Sequence, residues 1–371
     1  MQTIAVVGAG LFGRLLALEL ARSVHPNNWQ VSLFERNELS ARNSAGYSAA
    51  AMLAPLAEAF SASPLIRRLG SASLSQWPAL LEKLPSPVFF QREGSLVVSH
   101  PQDRGDYLNF INHLQRNLQG SELTNNLCAC DAEQLRRLEP ELAEQFQLGM
   151  HLKGEGQLDN RALYTATTTA IEESDIHCFT NTPVDRIEAN TISFAQHQRQ
   201  QFDWVIDCRG LGARSAIPQL RGVRGEVIRL HAPDVNFTRP IRLMHPRYPL
   251  YIAPRANNHY VIGATEIESN DNSAISVRST LELLSAAYSL HPGFAEARIM
   301  ETNANCRPAL PDNEPLITMG NNNLQINGLY RHGYLIAPAL LREVTDTLNS
   351  ARGVSERKLT SRYPELYRAA A

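Results

Sequence analysis

The sequence predicts a chain that is α/β in one part and α+β in another, with the two parts interleaved. Three observations lead there. A short apolar stretch runs into Gly8-Ala9-Gly10-Leu11-Phe12-Gly13 and a helical segment, and the next apolar stretch ends in an acid, Glu35. A late buried strand at 202–207 leads again into glycines, Gly210 and Gly212. Residues 222–302 read as short strands separated by turn signals such as Ala256-Asn257-Asn258.

Residues 3–7 (TIAVV) form the first strand, 11–22 the helix and 30–35 the second strand, the βαβ order of a Rossmann-type dinucleotide site. Gly8 permits the tight turn, Gly10 lets backbone approach a pyrophosphate, and Gly13 lets helix and strand pack closely. The helix N-terminus offers free N–H groups and partial positive charge to phosphates. Glu35, about 20 residues past the glycines, is placed to accept hydrogen bonds from a ribose diol, with Arg36 beside it.

Residues 40–55 are mostly small, and from Ser48 to Ala51 no side chain is larger than serine. Such a run brings backbone close to a ligand, or starts an alanine-rich helix. Residues 71–84 read as a helix that Pro78 should kink or restart. Strands follow at 88–90 and 94–98, a helix at 103–118, and a short helix at 131–138 capped by Asp131. Asp159 caps the helix 159–173, and short strands are expected at 177–179 and 184–187. In the later part, 225–230, 242–244, 250–254 and 260–263 are strands, with an amphipathic helix at 280–291 against them. Strands return at 316–319, 324–326 and 329–335, and a helix at 338–349 closes the chain. The expected division is 1–85, 150–220 and 303–371 for the nucleotide domain, and 86–149 with 221–302 for the second, substrate-binding domain.

At 371 residues the chain is long for one core. Its hydrophobic fraction of 43% and charged fraction of 19% are those of a soluble globular protein. The net charge is −2 with Lys and Arg scattered, which argues against a nucleic-acid partner. The five cysteines are odd in number, and Cys128-Ala129-Cys130 lacks zinc spacing. No metal site and reduced thiols in a cytoplasmic protein are the expectation. Residues 1–7 already read as a strand rather than a signal peptide, and no apolar run approaches a membrane span.

Several blocks, in order, resemble a known family: Gly8 to Gly13 with Glu35, 48–55 (SAAAMLAP), 156–163 (GQLDNRAL), 250–265 (LYIAPRANNHYVIGAT), 307–315 (RPALPDNEP) and 330–338 (YRHGYLIAP). The chain is similar to D-amino-acid-oxidase-type flavoproteins, in the glycine oxidase branch used in thiamine biosynthesis. The resemblance implies a glutathione-reductase-like arrangement holding FAD non-covalently. It implies Gly8, Gly10 and Gly13 under the pyrophosphate, Glu35 and Arg36 at the adenosine end, and Ser48, Ala49, Ala50 and Met52 along the ribityl chain and flavin ring. Val184 would touch the adenine side through its backbone, Gly210 joins the cofactor set, and His332, Gly333, Tyr334 and Leu335 would present N–H groups to the flavin pyrimidine. Arg307 matches the arginine that grips the substrate carboxylate, Tyr251 the tyrosine that assists it, and Arg331 a second arginine close to the flavin. A planar guanidinium suits this grip, since it makes two charge-assisted hydrogen bonds and fixes orientation. Read alone, Arg331 is equally a partner for an acid or a carbonyl, while a domain-bridging ion pair for Arg307 and a packed strand aromatic for Tyr251 are the lesser alternatives.

Three positions depart from the family pattern. Glu266 stands where relatives have an apolar residue, and would repel a substrate carboxylate, hold a cationic group, turn outward, or pair with an arginine. His332 replaces a more usual asparagine, and Ala51 a glycine. The implied reaction is hydride transfer from the α-carbon of a neutral amine to flavin N5, giving an imine that water hydrolyses, with electrons passing to oxygen. The substrate is expected to be a small amine or amino acid, larger or more cationic than glycine. Alternatives are a flavin dehydrogenase using another acceptor and a non-catalytic flavin-binding accessory protein. Cys306 raises covalent flavin attachment as a remote option, and the resemblance leaves room for homo-oligomers.

Overall fold

The glycine turn sits at the end of the central strand of a six-stranded sheet. In the computed structural model, which describes residues 2–22, 29–118, 120, 125–195, 198–245, 250–351 and 361–368, β1 (Gln2–Val7) lies between two parallel neighbours, Trp29–Phe34 (β2) and Trp204–Asp207. The sheet order is 316–320, 323–327, 204–207, β1, β2, 177–179, with only the first pair antiparallel. Ile4, Val6, Leu33 and Ile206 are buried to 2% exposure or less, as strands covered on both faces require. Helix α1 (Leu11–Arg22) is buried almost all round. Within it the fully buried Arg14 donates to the carbonyls of Ala9, Leu39 and Tyr164 and to Thr167 Oγ1, and lies 4.1 Å over the Tyr164 ring. The charge is thus held by acceptors rather than by an acid.

A nine-stranded, mainly antiparallel sheet forms the other half. It joins Ser95–Ser99, Leu127–Asp131 and Leu148–Leu152 to Arg221–His231, Ile241–Met244, Leu250–Arg255 and His259–Gly263. Only Ile241–Met244 and Ser95–Ser99 pair in parallel. Helix Val277–Leu290, capped by Ser276, covers one face. The caps at Asp131 and Asp159 form as expected, Asp131 in a full capping box with Gln134.

Three expectations are revised, and one strand has no counterpart in the sequence reading. Residues 329–335 are not a strand: a turn precedes helix Gly333–Ala351. Pro338 sits inside that helix and has no N–H for the carbonyl of Tyr334. That carbonyl accepts the indole N–H of Trp77 instead (3.0 Å), and the Ala339 N–H donates to Ser73 Oγ (3.0 Å). Pro78 does not restart a helix: it lies inside one that runs from Pro64 at its N-terminus through Leu81. The 184–187 strand begins only at Arg186. Finally, Arg298–Ala309 is a long strand paired with Arg221–His231. Its polar sequence RIMETNANCRPA shows no apolar alternation.

Candidate active site

A cavity of about 760 Å³ lies between the two halves, lined by both. At the nucleotide end, Gly8 has φ +101°, and a side chain there would come within 2.8 Å of the Cys208 carbonyl oxygen. A Cβ on Gly13 would collide with the Gly8 carbonyl, whereas one on Gly10 would meet nothing within 4 Å. Two of these glycines close the turn and the third keeps its mouth open. Glu35, buried, accepts the N–H of Ala9 (2.8 Å) and of Asn37 (3.0 Å) through different oxygens, leaving lone pairs on each for further donors. Arg36 lies exposed on the cavity wall.

Residues 48–52 form the next stretch of wall. Arg255, buried, donates to the Ala50 carbonyl and to Gln157 Oε1 (2.6 Å), and burial pushes its pKa down to about 10. Ala51 has φ +52°, a left-handed conformation that costs a non-glycine residue roughly 1 kcal/mol. The turn before helix Gly333–Ala351 completes this wall. The His332 N–H is taken by the Leu329 carbonyl (2.9 Å), so His332 does not present its N–H to the cavity. The N–H groups of Gly333, Tyr334 and Leu335 belong to the helix's first turn, where no intrahelical acceptor exists. Helical closure begins with Ile336 on the His332 carbonyl.

Tyr251 and Arg307 stand on the nine-stranded sheet. Burial pushes the Tyr251 phenol up, against the nearby charges of Arg307 and Arg242, so it stays protonated and able to donate. Arg307 Nη1 donates to the carbonyls of Arg224 (3.4 Å) and Thr265 (3.2 Å). Among the described residues no carboxylate pairs with it.

Arg331 is different. Glu58 Oε2 accepts both Nε (3.1 Å) and Nη2 (2.9 Å), Glu266 Oε2 accepts Nη1 (2.7 Å), and Ser61 Oγ accepts Nη2 (2.7 Å). Burial raises the Glu58 pKa, but Arg331, His332 and Arg242 outweigh it and bring it to about 2. Glu266 is likewise lowered, burial being outweighed by Arg331 and Tyr330. The His332 ring is buried, its Nδ1 lies 3.5 Å from Glu58, and burial lowers its pKa to about 4. It is therefore neutral near pH 7.

Of the residues singled out from sequence, most line this one cavity; Gly13 and Val184 do not. Gly13 supports Gly8 from beneath. Val184 packs with Val7, Phe34 and Val205, and its carbonyl accepts Arg209 Nη1 (3.0 Å). Sequence reasoning missed Glu58, although a signal existed: it is the lone charge between Arg42 and Arg67. It missed Arg255 and Arg242 as well, which look like ordinary strand residues.

The sequence profile of the FAD-dependent oxidoreductases (DAO) matches residues 3–347. The chain belongs to this family. This FAD-dependent oxidoreductase is 36% identical over 355 residues to a Rhizobium etli protein named as a thiamine biosynthesis oxidoreductase, ThiO, covering 96% of this chain and 99% of the relative. Its fold matches the crystal structure of glycine oxidase from Geobacillus kaustophilus (TM-score 0.79, 22% identity, 97% and 98% of the two chains). It also matches iminodiacetate oxidase from Chelativorans sp. BNC1 (TM-score 0.79, 21% identity, 99% of each). FAD is the family's cofactor, and the open glycine mouth, the half-used Glu35 carboxylate and the helix N-terminus at Gly333 fit it. Among the described residues no helix is long and apolar enough to cross a membrane.

Proposed function

We propose that this enzyme oxidises the C–N bond of a small amine bearing a carboxylate, as a glycine-oxidase-like enzyme of the cytoplasm. The observation that carries the reading is Arg307: a cavity-lining arginine held only by carbonyls, beside a protonated tyrosine. Its unmatched edge and the Tyr251 hydroxyl would donate to the substrate carboxylate, each charge-assisted hydrogen bond contributing about 1.5–3 kcal/mol. The 36% identity to a relative named for thiamine biosynthesis supports the same reading.

Bound FAD supplies the two-electron acceptor. Gly8, Gly10 and the start of α1 would hold its pyrophosphate, Glu35 its ribose hydroxyls, residues 48–52 its ribityl side, and the N–H groups of Gly333 to Leu335 its pyrimidine. Those N–H groups, fixed by the first turn of the helix, would favour negative charge on the pyrimidine without reorganising. Tyr251 and Arg307 orient the substrate, and much of the rate comes from that orientation. Arg331 and Glu266 hold one another, so Glu266 serves as a partner for Arg331 rather than as a seat for a cationic substrate group.

The test is anaerobic mixing of the purified yellow protein with glycine, sarcosine, D-amino acids and cationic N-alkyl amines. Bleaching by carboxylate-bearing amines is expected, and none by amines lacking a carboxylate. Rapid reoxidation in air with peroxide formation identifies an oxidase; slow reoxidation identifies a dehydrogenase with another acceptor. A flavin that no amine bleaches overturns the reading.

A further inference from the structure

Arg307 projects from the strand Arg298–Ala309 and lies across its neighbour, Arg221–His231, with Arg307 in register with Val223. Its guanidinium rests on Gly225. A Cβ at Gly225 would sit 2.5 Å from Nη1 and collide with Nη2 and Cζ, and its three nearest atoms are all Arg307 side chain. No positive φ requires glycine here; it is needed for the space. The residues on either side act on the same guanidinium. The Arg224 carbonyl accepts Nη1 directly. Glu226 fixes the other acceptor: its N–H donates to Thr265 Oγ1 (2.9 Å), its carboxylate accepts from that hydroxyl (3.0 Å), and its carbonyl accepts the Thr265 N–H (3.3 Å). Thr265 in turn offers its carbonyl to Arg307. The Glu226 carboxylate is itself clamped by Arg224 Nε (3.0 Å) and Nη2 (2.7 Å), both side chains being almost fully buried.

We infer that Arg224-Gly225-Glu226 is a built seat that fixes the plane of the Arg307 guanidinium, and that Gly225 is a positioning residue for the substrate's carboxylate. Tyr251 has a related but shared seat: a Cβ on Gly263 would come within 2.7 Å of its hydroxyl oxygen, 2.9 Å of Cζ and 2.9 Å of Val227 Cγ1. Gly263 pairs with both Val227 and Tyr251 across the sheet. The two donors thus lie down on glycines of adjacent strands. At Gly225 the three atoms nearest a methyl group all belong to the Arg307 side chain, so it acts first on that donor; at Gly263 it also meets Val227 Cγ1 at 2.9 Å, which makes Gly225 the cleaner test.

The inference rests on the carboxylate role proposed for Arg307, and a double-mutant cycle separates the two. Acetate is titrated into the FAD-loaded enzyme and followed by the flavin difference spectrum and by NMR saturation transfer, with FAD content and thermal midpoint measured alongside. Arg307→Ala and Gly225→Ala are each expected to weaken acetate binding roughly tenfold or more, with unchanged melting. In the Arg307→Ala background, Gly225→Ala should add nothing. With an amine substrate, Gly225→Ala should raise KM much more than it lowers kcat. Acetate that binds Arg307→Ala as well as wild type overturns the carboxylate role, leaving the seat nothing to position. If Arg307→Ala weakens binding but Gly225→Ala does not, or weakens it equally in both backgrounds, the seat is overturned. So it is if Gly225→Ala fails to fold, because its methyl should meet only a movable side chain. Gly263→Ala repeats the test on Tyr251, with the Tyr251→Phe background as its control.

Discussion

Two arginines on the same cavity show how one residue type takes opposite roles. Arg331 is surrounded by acids: Glu58 and Glu266 both reach it, and Ser61 takes a further N–H. Arg307 receives only backbone carbonyls, on a surface cleared by glycine. The carboxylates hold Arg331 in place and pair with its charge, whereas Arg307 lines the cavity with no carboxylate paired to it among the described residues, as the carboxylate grip proposed for it requires. Wall position alone does not distinguish them; the identity of their partners does.

The comparison breaks most sharply at Arg307. Arg307→Ala should lower kcat/KM for a carboxylate-bearing amine by roughly 10²–10³-fold, about 3–4 kcal/mol, while denaturant titration finds stability within about 0.5 kcal/mol of wild type. Arg331 should behave in the reverse way. Glu58→Gln leaves Arg331 and Arg242 short of countercharge and should cost about 3 kcal/mol of stability, read as a lower urea midpoint.

The acid side gives two further windows. The folded His332 pKa of about 4 lies below its ordinary 6.5, so the unfolded chain binds more protons between those values and stability rises with pH across them. On acidification from pH 6.5 to 4, a loss on the order of 2–3 kcal/mol is expected, and His332→Gln should flatten it in urea titrations across that range. Glu58, at about 2 instead of 4.5, contributes stability that is full above pH 4.5 and lost as pH falls toward 2; Glu58→Gln should remove that lower step. The smallest effect belongs to Glu266→Gln. Its side chain is 44% exposed, and the exposed half of the clamp should be worth less than about 1 kcal/mol. A larger loss would make the clamp stronger than its exposure suggests, and a changed amine profile in the bleaching assay would assign Glu266 to the substrate instead.

The nucleotide turn was legible because its signals are local: glycine spacing, a helix start and an acid at a strand end sit within thirty-five residues. The body of the last helix is legible from 338 onward, but its first turn at 333–335 reads as a strand because that end is buried on all sides and lacks a polar face to mark the helical period. The strand carrying Arg307 gave no apolar alternation; its partner supplies the pairing across eleven registered residues. At the site, resemblance assembled the lining residues, and the structure brings nearly all of them together. It could not reveal partners. Glu58 lies 273 residues from Arg331, and Gly225 lies 82 residues from Arg307. Whether an arginine is clamped or seated is a property of such distant pairs.

The proline within helix Gly333–Ala351 has a dynamic consequence. The carbonyl it leaves without a helical donor and the next amide are both satisfied by helix Pro64–Leu81, through Trp77 and Ser73. Deuterium exchange at the Trp77 indole and at the Ala339 amide should therefore report the undocking of two helices, not the fraying of one. Corrected for their different intrinsic rates, both sites should give the same opening free energy. The turn at the start of helix Gly333–Ala351 would then loosen only when the helix packed against it lets go.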